Sequence, residues 1–271
     1  MGWVVVVNFT DYSDLGGVNW STLSAMQSSP AHYHWRLTTP REDTPAMRLG
    51  RAVHTQVLEP RVFPLQWTVY DGRRAGNAWT EFVTVNHDKT VLTVEEYEKV
   101  LAIGDAVRAH KAARRLLRYG KPEVSLRWID PRTRIRCKGR LDWLRGDTLV
   151  DLKTSRDVEP RAFGRTAAQL SYHAQLAFYR RGLLATGHKL APVYMIAVES
   201  SGPFDVLVYE VDEDVLFAGD EIVTKLLHEL KLCRKRRSWP GRDQGVQALD
   251  FPQWALPADT DYTNVAIEVL S

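Results

Sequence analysis

Gly146-Asp147 lies between two runs of alternating, strand-prone residues, and a glycine–aspartate pair in that setting marks a two-residue hairpin turn. The turn fixes a register. Arg145 pairs with Thr148, and counting outward sets Asp142 opposite Asp151. Facing Cβ atoms on paired strands are roughly 4.5–5.5 Å apart, so two carboxylates there repel unless something neutralises them. A divalent cation does so, because hard Mg²⁺ or Mn²⁺ prefers carboxylate oxygens. Side chains alternate along a strand, so Lys153 shares the face of Asp151 while Leu152 points into the core. An ammonium beside a cation site is placed to orient a water or to stabilise developing negative charge.

A second turn extends this face. Asp130-Pro131-Arg132-Thr133 reads as a four-residue turn that pairs Ile129 with Arg134. Continuing outward, Glu123 faces Arg140 and lies diagonal to Asp142. Glu123, Arg140, Asp142, Asp151 and Lys153 then share one side of the sheet. Three carboxylates, a lysine and an arginine are suited to metal-assisted hydrolysis of a phosphodiester. The plainer alternative is a solvated sheet face. An Asp-x-Lys tripeptide occurs by chance about once in a chain this long, so spacing alone leaves both readings open.

Elsewhere the sequence predicts a short strand at Trp3-Val4-Val5-Val6-Val7 and a helix over Ser21 to Leu37. A further helix starts at Thr44-Pro45 and stops before Pro60. Residues 61–92 read as an irregular or β excursion. Thr93-Val94-Glu95-Glu96 is a capping box that opens a long helix to about Tyr119. Strands are expected at 123–129, 134–144 and 148–153, a helix at 160–185, strands at 193–199 and 204–211, and a helix at 213–237. This order predicts an α/β (α+β) fold, a mixed central sheet flanked by helices. One domain over 1–271 is expected: a mostly helical part (1–120) carrying His54, a core (121–237) and an extended tail (238–271).

Several separated segments resemble the RecE-type exonuclease (exonuclease VIII) branch of the PD-(D/E)xK nuclease superfamily. They are Ser29-Pro30-Ala31-His32-Tyr33, the stretch from Leu49 to Pro60 with Gly50, His54 and Leu58-Glu59-Pro60, and Lys121-Pro122-Glu123-Val124-Ser125. Arg140-Leu141-Asp142, Val150-Asp151-Leu152-Lys153-Thr154-Ser155 and the helix from Tyr172 to Tyr179 complete the set. Leu141 stands where the superfamily name has proline.

The resemblance implies a mixed-sheet nuclease core that uses Mg²⁺, with Mn²⁺ able to substitute. Asp142, Asp151 and the Leu152 carbonyl would bind the metal, His54 would help to hold it, and Glu123 would support a second ion. Lys153 would activate water, and Gln175 and Tyr179 would position DNA or that lysine. Arg48, Arg51, Arg140 and Tyr172 are the residues expected to contact DNA. The implied activity is 5′-to-3′ digestion of linear duplex DNA from its ends in phage-type recombination, leaving a single strand for a RecT-like annealing protein. Relatives of this type are often ring-like homo-oligomers. The chain is shorter than full-length cellular RecE, which suggests a phage-sized or nuclease-core version.

Against this stand two other readings: an endonuclease of the same superfamily, and a catalytically silent DNA-binding or recombination scaffold on the same fold. Net charge is only +3, so any nucleic-acid contact depends on local basic runs such as Arg108 to Arg118 and Lys231 to Arg237. A solvated helix face explains those runs equally well. Cys137 and Cys233 are the only cysteines, too few for an iron–sulfur cluster and better suited to a reducing cytoplasm. The histidines lack zinc-ligand spacing. No apolar run approaches the roughly 20 residues of a membrane span.

Overall fold

The computed structural model describes residues 3–6, 12, 14–39, 42–243, 245–252 and 255. It comprises two compact units, Met1–Pro240 and Gly241–Ser271. Much of the expected tail lies outside the described residues; within the second unit Asp243 accepts hydrogen bonds from the Gly245 N–H at 3.0 Å and from Gln247 Nε2 at 2.8 Å.

The first unit is built on a six-stranded sheet. Its strands are β1 (Trp3–Val6), β4 (Lys121–Ile129), β5 (Arg136–Arg145), β6 (Thr148–Ser155), β7 (Val193–Glu199) and β8 (Val206–Val211), in that spatial order. All neighbours are antiparallel except β6 and β7, which run parallel with Leu152 opposite Ile196. A parallel neighbour needs a long connection. Here it is made by two helices, α8 (Pro160–Gln169) and α9 (Tyr172–Ala185).

Both faces of the sheet are covered. On one, Val124, Leu126 and Trp128 of β4 join Leu176 and Phe178 of α9 and Leu226 and Leu230 of α10 (Glu213–Arg236). On the other, Val150, Leu152, Ile196 and Val198 meet Val53 and Val57 of α3 (Pro45–Leu58) and Val100, Ile103 and Val107 of α6 (Val94–Ala109). The mixed sheet flanked by helices is therefore the fold that the sequence predicts.

Helix starts follow their caps. Thr44 Oγ1 accepts the Met47 N–H at 3.3 Å ahead of Pro45, and Thr93 and Glu96 form the expected capping box. Three expected helices are interrupted, two of them where a side chain offers the backbone another partner and the third at a left-handed residue. The 21–37 segment divides into α1 (Trp20–Leu23), a 3₁₀ turn at Ser24–Gln27 and α2 (Pro30–Thr38), restarted by the Ser29 cap and Pro30. At His110 the backbone turns extended and the imidazole caps the Ala113 N–H at 3.3 Å, which separates α6 from α7 (Lys111–Leu116). Ser171 takes a left-handed conformation between α8 and α9, and its Oγ donates to Gln27 Oε1 at 3.0 Å. Segment 61–92 is more ordered than expected. It holds α4 (Phe63–Gln66), α5 (Asn77–Val85) and a parallel pair, β2 (Trp67–Val69) with β3 (Thr90–Leu92).

Candidate active site

The Gly146 hairpin has the predicted register: Arg145 pairs with Thr148, Leu144 with Leu149 and Trp143 with Val150. Gly146 supplies the left-handed conformation that the tight turn needs, with φ 59°. Pairing then stops, although both strands continue. In place of the next backbone bond, Asp142 Oδ2 accepts the Leu152 N–H at 2.8 Å. The strands therefore part at Asp142 and Asp151, and the two carboxylates face a gap that side chains from both helical layers reach.

The adjoining hairpin corrects the expected register. Ile129 pairs with Arg136, not Arg134, and Ser125, not Glu123, pairs with Arg140. Its loop is longer than a four-residue turn, with the Asp130 N–H bonded to the Ile135 carbonyl at 2.8 Å. Asp130 Oδ1 accepts from the Thr133 N–H and hydroxyl at 2.7 and 2.6 Å, and Arg134 adopts φ 64°. A shift of two residues preserves side-chain parity. Glu123 thus stays on the intended face, level with Asp142, and its carboxylate bonds diagonally to Arg140 Nε. Glu123 itself has φ 51° and interrupts the β4–β5 ladder.

From α3, His54 brings Nδ1 to 3.6 Å from Asp142 Oδ1. One ligand atom each of His54, Glu123 and Asp142 lies within 4.8 Å of the others, the only such His/Cys/Asp/Glu group among the described residues. Asp151 stands beside this group. It is buried, and its Oδ2 lies 2.6 Å from Lys153 Nζ. Asp151 Oδ1 is buried with no hydrogen-bond partner among the described residues. An orphaned buried carboxylate oxygen, within the field of Asp142 and His54, suits a hard divalent cation.

The local fields agree. Burial, Asp142 and Glu59 push the Glu123 carboxyl up to about 7, against the opposing pull of Arg140. Burial raises Asp151 to about 6, with Asp142 adding to the rise and Lys153 opposing it. Burial alone would lower the Lys153 ammonium, but Asp151 and Asp142 outweigh it and hold that group above its ordinary value. Negative charge is thus in excess around one ammonium, a state that an added cation relieves.

On the α9 side, the Tyr172 ring lies 4.8 Å from Lys153 Nζ in a cation–π contact. Gln175 Nε2 donates to the Tyr179 hydroxyl at 3.1 Å, and Tyr179 packs beside Gly139, where a Cβ would come within 3.0 Å of the ring. Burial holds the Tyr179 phenol well above its usual range. The geometry makes Tyr172, expected on DNA, a neighbour of Lys153. Arg48 and Arg51 are not brought to the cluster as bare cations: Arg48 pairs with Glu96 at 2.6 Å, and Arg51 holds Asp43 through two bonds of 2.6 and 2.7 Å. The Leu152 side chain is buried as expected, and its N–H is taken by Asp142.

One charge acting on the site, and one contact elsewhere on β5, lie outside the predicted set. Glu59, whose charge acts on Glu123, ends α3 within the Leu58-Glu59-Pro60 segment, which carries part of the family resemblance but gives Glu59 no role of its own. Lys138 donates to the Tyr12 carbonyl at 3.0 Å and lies 4.8 Å from the Tyr12 ring centroid. No sequence pattern announces that contact.

The sequence matches, over residues 19–250, the family model described as PDDEXK-like domain of unknown function (DUF3799). No curated protein matches it. Among solved structures, the fold is similar to that of a proposed exonuclease from Eubacterium rectale, with TM-score 0.64 at 12% identity over 92% of this chain and 96% of that one. A phage-related exonuclease from Haemophilus somnus aligns over 84% of this chain and 100% of its own at 13% identity, with TM-score 0.34. The family match covers most of the chain, and the mixed sheet flanked by helices agrees with it: the chain belongs to the PDDEXK-like DUF3799 family, within the PD-(D/E)xK nuclease superfamily.

Proposed function

We propose that this chain is a divalent-metal-dependent deoxyribonuclease that digests linear duplex DNA from its ends, 5′ to 3′, in the manner of the RecE-type exonucleases it resembles. One observation carries the reading: His54, Glu123 and Asp142 present ligand atoms within 4.8 Å of one another, beside the buried pair of Asp151 and Lys153.

His54, Glu123, Asp142 and the free oxygen of Asp151 would hold the cation, Mg²⁺ or Mn²⁺. Bound by these residues, it would supply Lewis-acid charge to the scissile phosphate and a more acidic water. The remaining work falls to the chain. Lys153 keeps its proton under the pull of Asp151 and presents Nζ as a donor to the attacking water or to a phosphate oxygen. Tyr172 covers that ammonium and limits its motion. Arg140 restrains the Glu123 carboxylate, and the bond between Gln175 and Tyr179 fixes the α9 turn that faces the site. The product strand would suit a RecT-like annealing partner.

Release of acid-soluble nucleotide from linear duplex DNA with Mg²⁺ is the direct test, and no release removes the reading. A covalently closed circle should stay intact; nicking it would make the protein an endonuclease. Loss of a 5′ label before a 3′ label checks polarity. A protein that binds DNA but shows neither turnover nor any metal-linked rise in melting temperature would be the silent scaffold.

A further inference from the structure

Away from the carboxylate cluster, a cavity of about 450 Å³ opens between the chain before α1, α2, the start of β5 and the end of α10. Its lining includes Arg134, Arg136 and Arg234, together with Tyr33, Asn19 and Thr22. None of the lining residues carries a carboxylate. All three arginines are solvent-exposed, and Arg134 and Arg136 have no hydrogen bond or ion pair to a side chain among the described residues. Among the described residues, Arg234 has one side-chain hydrogen bond, a 3.5 Å contact with the Tyr33 hydroxyl. Elsewhere many arginines are matched to acids: Arg48 to Glu96, Arg51 to Asp43, Arg140 to Glu123 and Arg181 to Asp220.

The wall that carries two of these cations is firmly built. Asp130 bonds to Thr133 through both its N–H and its hydroxyl, Arg181 reaches Asp130 at 3.5 Å, and the Arg134 N–H donates to the Asp130 carbonyl at 2.8 Å. Arg134 is held at φ 64°, a left-handed conformation that side-chain-bearing residues rarely adopt. The opposite wall is drawn close by Gly17, at φ 142°, where a Cβ would meet the Cys137 backbone at 3.2 Å. Like charges lining one concave surface with no acid among them suit an external anion, and guanidinium groups match phosphate oxygens in two-point fashion.

We infer that this cleft binds backbone phosphates of the nucleic acid engaged at the carboxylate site, well away from the bond being cut. Arg136 and Asp142 lie six residues apart on β5, which at the strand rise is about 20 Å, or roughly six base-pair steps of duplex. The inference rests on the nuclease reading for its ligand, but it places the contact on residues that take no part in the chemistry.

The test uses the full chain in EDTA, with fluorescence anisotropy on labelled duplexes of about 5 and 20 base pairs, the short one closed by a hairpin loop so that it stays paired, across a salt series and scaled to the rise of about 3.4 Å per pair. The variant R134Q/R136Q/R234Q alters exposed side chains, and its melting temperature serves as the folding control. The expected result is at least a tenfold affinity loss for the long duplex and little change for the short one. The slope of log affinity against log salt should fall by about 2–3, since each phosphate contact contributes roughly 0.9. With Mg²⁺, cleavage of the short duplex should persist in the variant. An unchanged slope on the long duplex overturns the inference while wild-type cleavage leaves the nuclease reading standing. Inorganic phosphate that competes at the cleft as well as an equal concentration of long-duplex phosphate would make it a free-anion site and also overturn it. A wild-type chain that neither binds nor cuts DNA removes both.

Discussion

Asp142 Oδ2 accepts the Leu152 N–H at 2.8 Å, in the position where the β5–β6 ladder would otherwise continue. The carboxylate thus holds the parted strands together with one oxygen while the other, Oδ1, turns toward His54 at 3.6 Å. Structure and chemistry divide between two atoms of one side chain.

That division can be tested. Asp142→Asn keeps an oxygen for the Leu152 N–H and should leave the melting temperature nearly unchanged. Asp142→Ala strands that donor in a largely buried place and should cost about 1–3 kcal/mol in urea unfolding. Both should abolish metal-dependent cleavage. Equal stability of the two variants would show that the hydrogen bond contributes nothing.

The pair of Lys153 and Asp151 makes a second case. Removing one partner of a buried ion pair typically costs about 3–5 kcal/mol, because the other charge is left uncompensated. Lys153→Met should therefore be clearly destabilised at pH 8, and less so near pH 5, because Asp151, already raised to about 6, then takes a proton readily. Adding Asp151→Asn to Lys153→Met should recover most of the stability and none of the activity. Failure of the double variant to regain stability would place the loss in packing and not in charge.

The hairpin at Gly146 is legible in the sequence because its register is set within a few residues by turn chemistry, and Arg145 pairs with Thr148 as that chemistry requires. The neighbouring hairpin is not. Its loop length depends on Asp130 bonding to Thr133 and on Arg134 entering a left-handed conformation, with no glycine to announce either. Glu123 reaches the right face only because the error is two residues and parity repeats every two. Arg48 and Arg51 show the limit of helix periodicity. It places cations along the helix of His54, yet the partners that occupy them, Glu96 and Asp43, lie on other segments. The gap between Asp142 and Asp151 is likewise tertiary: the sequence specifies facing acids, and only the packed helices show that pairing stops there.

The raised carboxyls give a pH signature for the metal-free protein. Glu123 at about 7 and Asp151 at about 6 bind protons in the folded state that the unfolded chain, near 4, has already released. Their contribution therefore lowers stability as pH rises from about 4 to 7. In EDTA, wild-type protein should lose more melting temperature between pH 5 and pH 8 than Glu123→Gln does. Cations bind the deprotonated acids, so the rise in melting temperature with Mn²⁺ should be larger at pH 8 than at pH 5. A metal response that is strongest at pH 5 would contradict the assigned ligands.

The last prediction concerns how α9 is kept on the site. Gly219 of α10 lies so close to the first turn of α9 that a Cβ there would come within 2.3 Å of the His173 carbonyl oxygen. The obstacle is backbone, so one helix must move. Two effects of Gly219→Ala oppose each other. In an open helix the change should stabilise by roughly 1 kcal/mol through propensity, whereas overpacking a fitted contact typically costs about 1–3 kcal/mol. The contact is far shorter than any ordinary one, so the steric cost should win and the melting temperature should fall. The displaced turn carries Tyr172, which covers Lys153, and Gln175, which holds Tyr179. Cleavage should therefore drop further than the folded fraction at the assay temperature accounts for, with the greater effect on kcat. A Gly219→Ala protein that melts higher than wild type and cuts DNA normally would mean that α9 and α10 can separate without consequence, and that the α9 side of the site is not set by this contact.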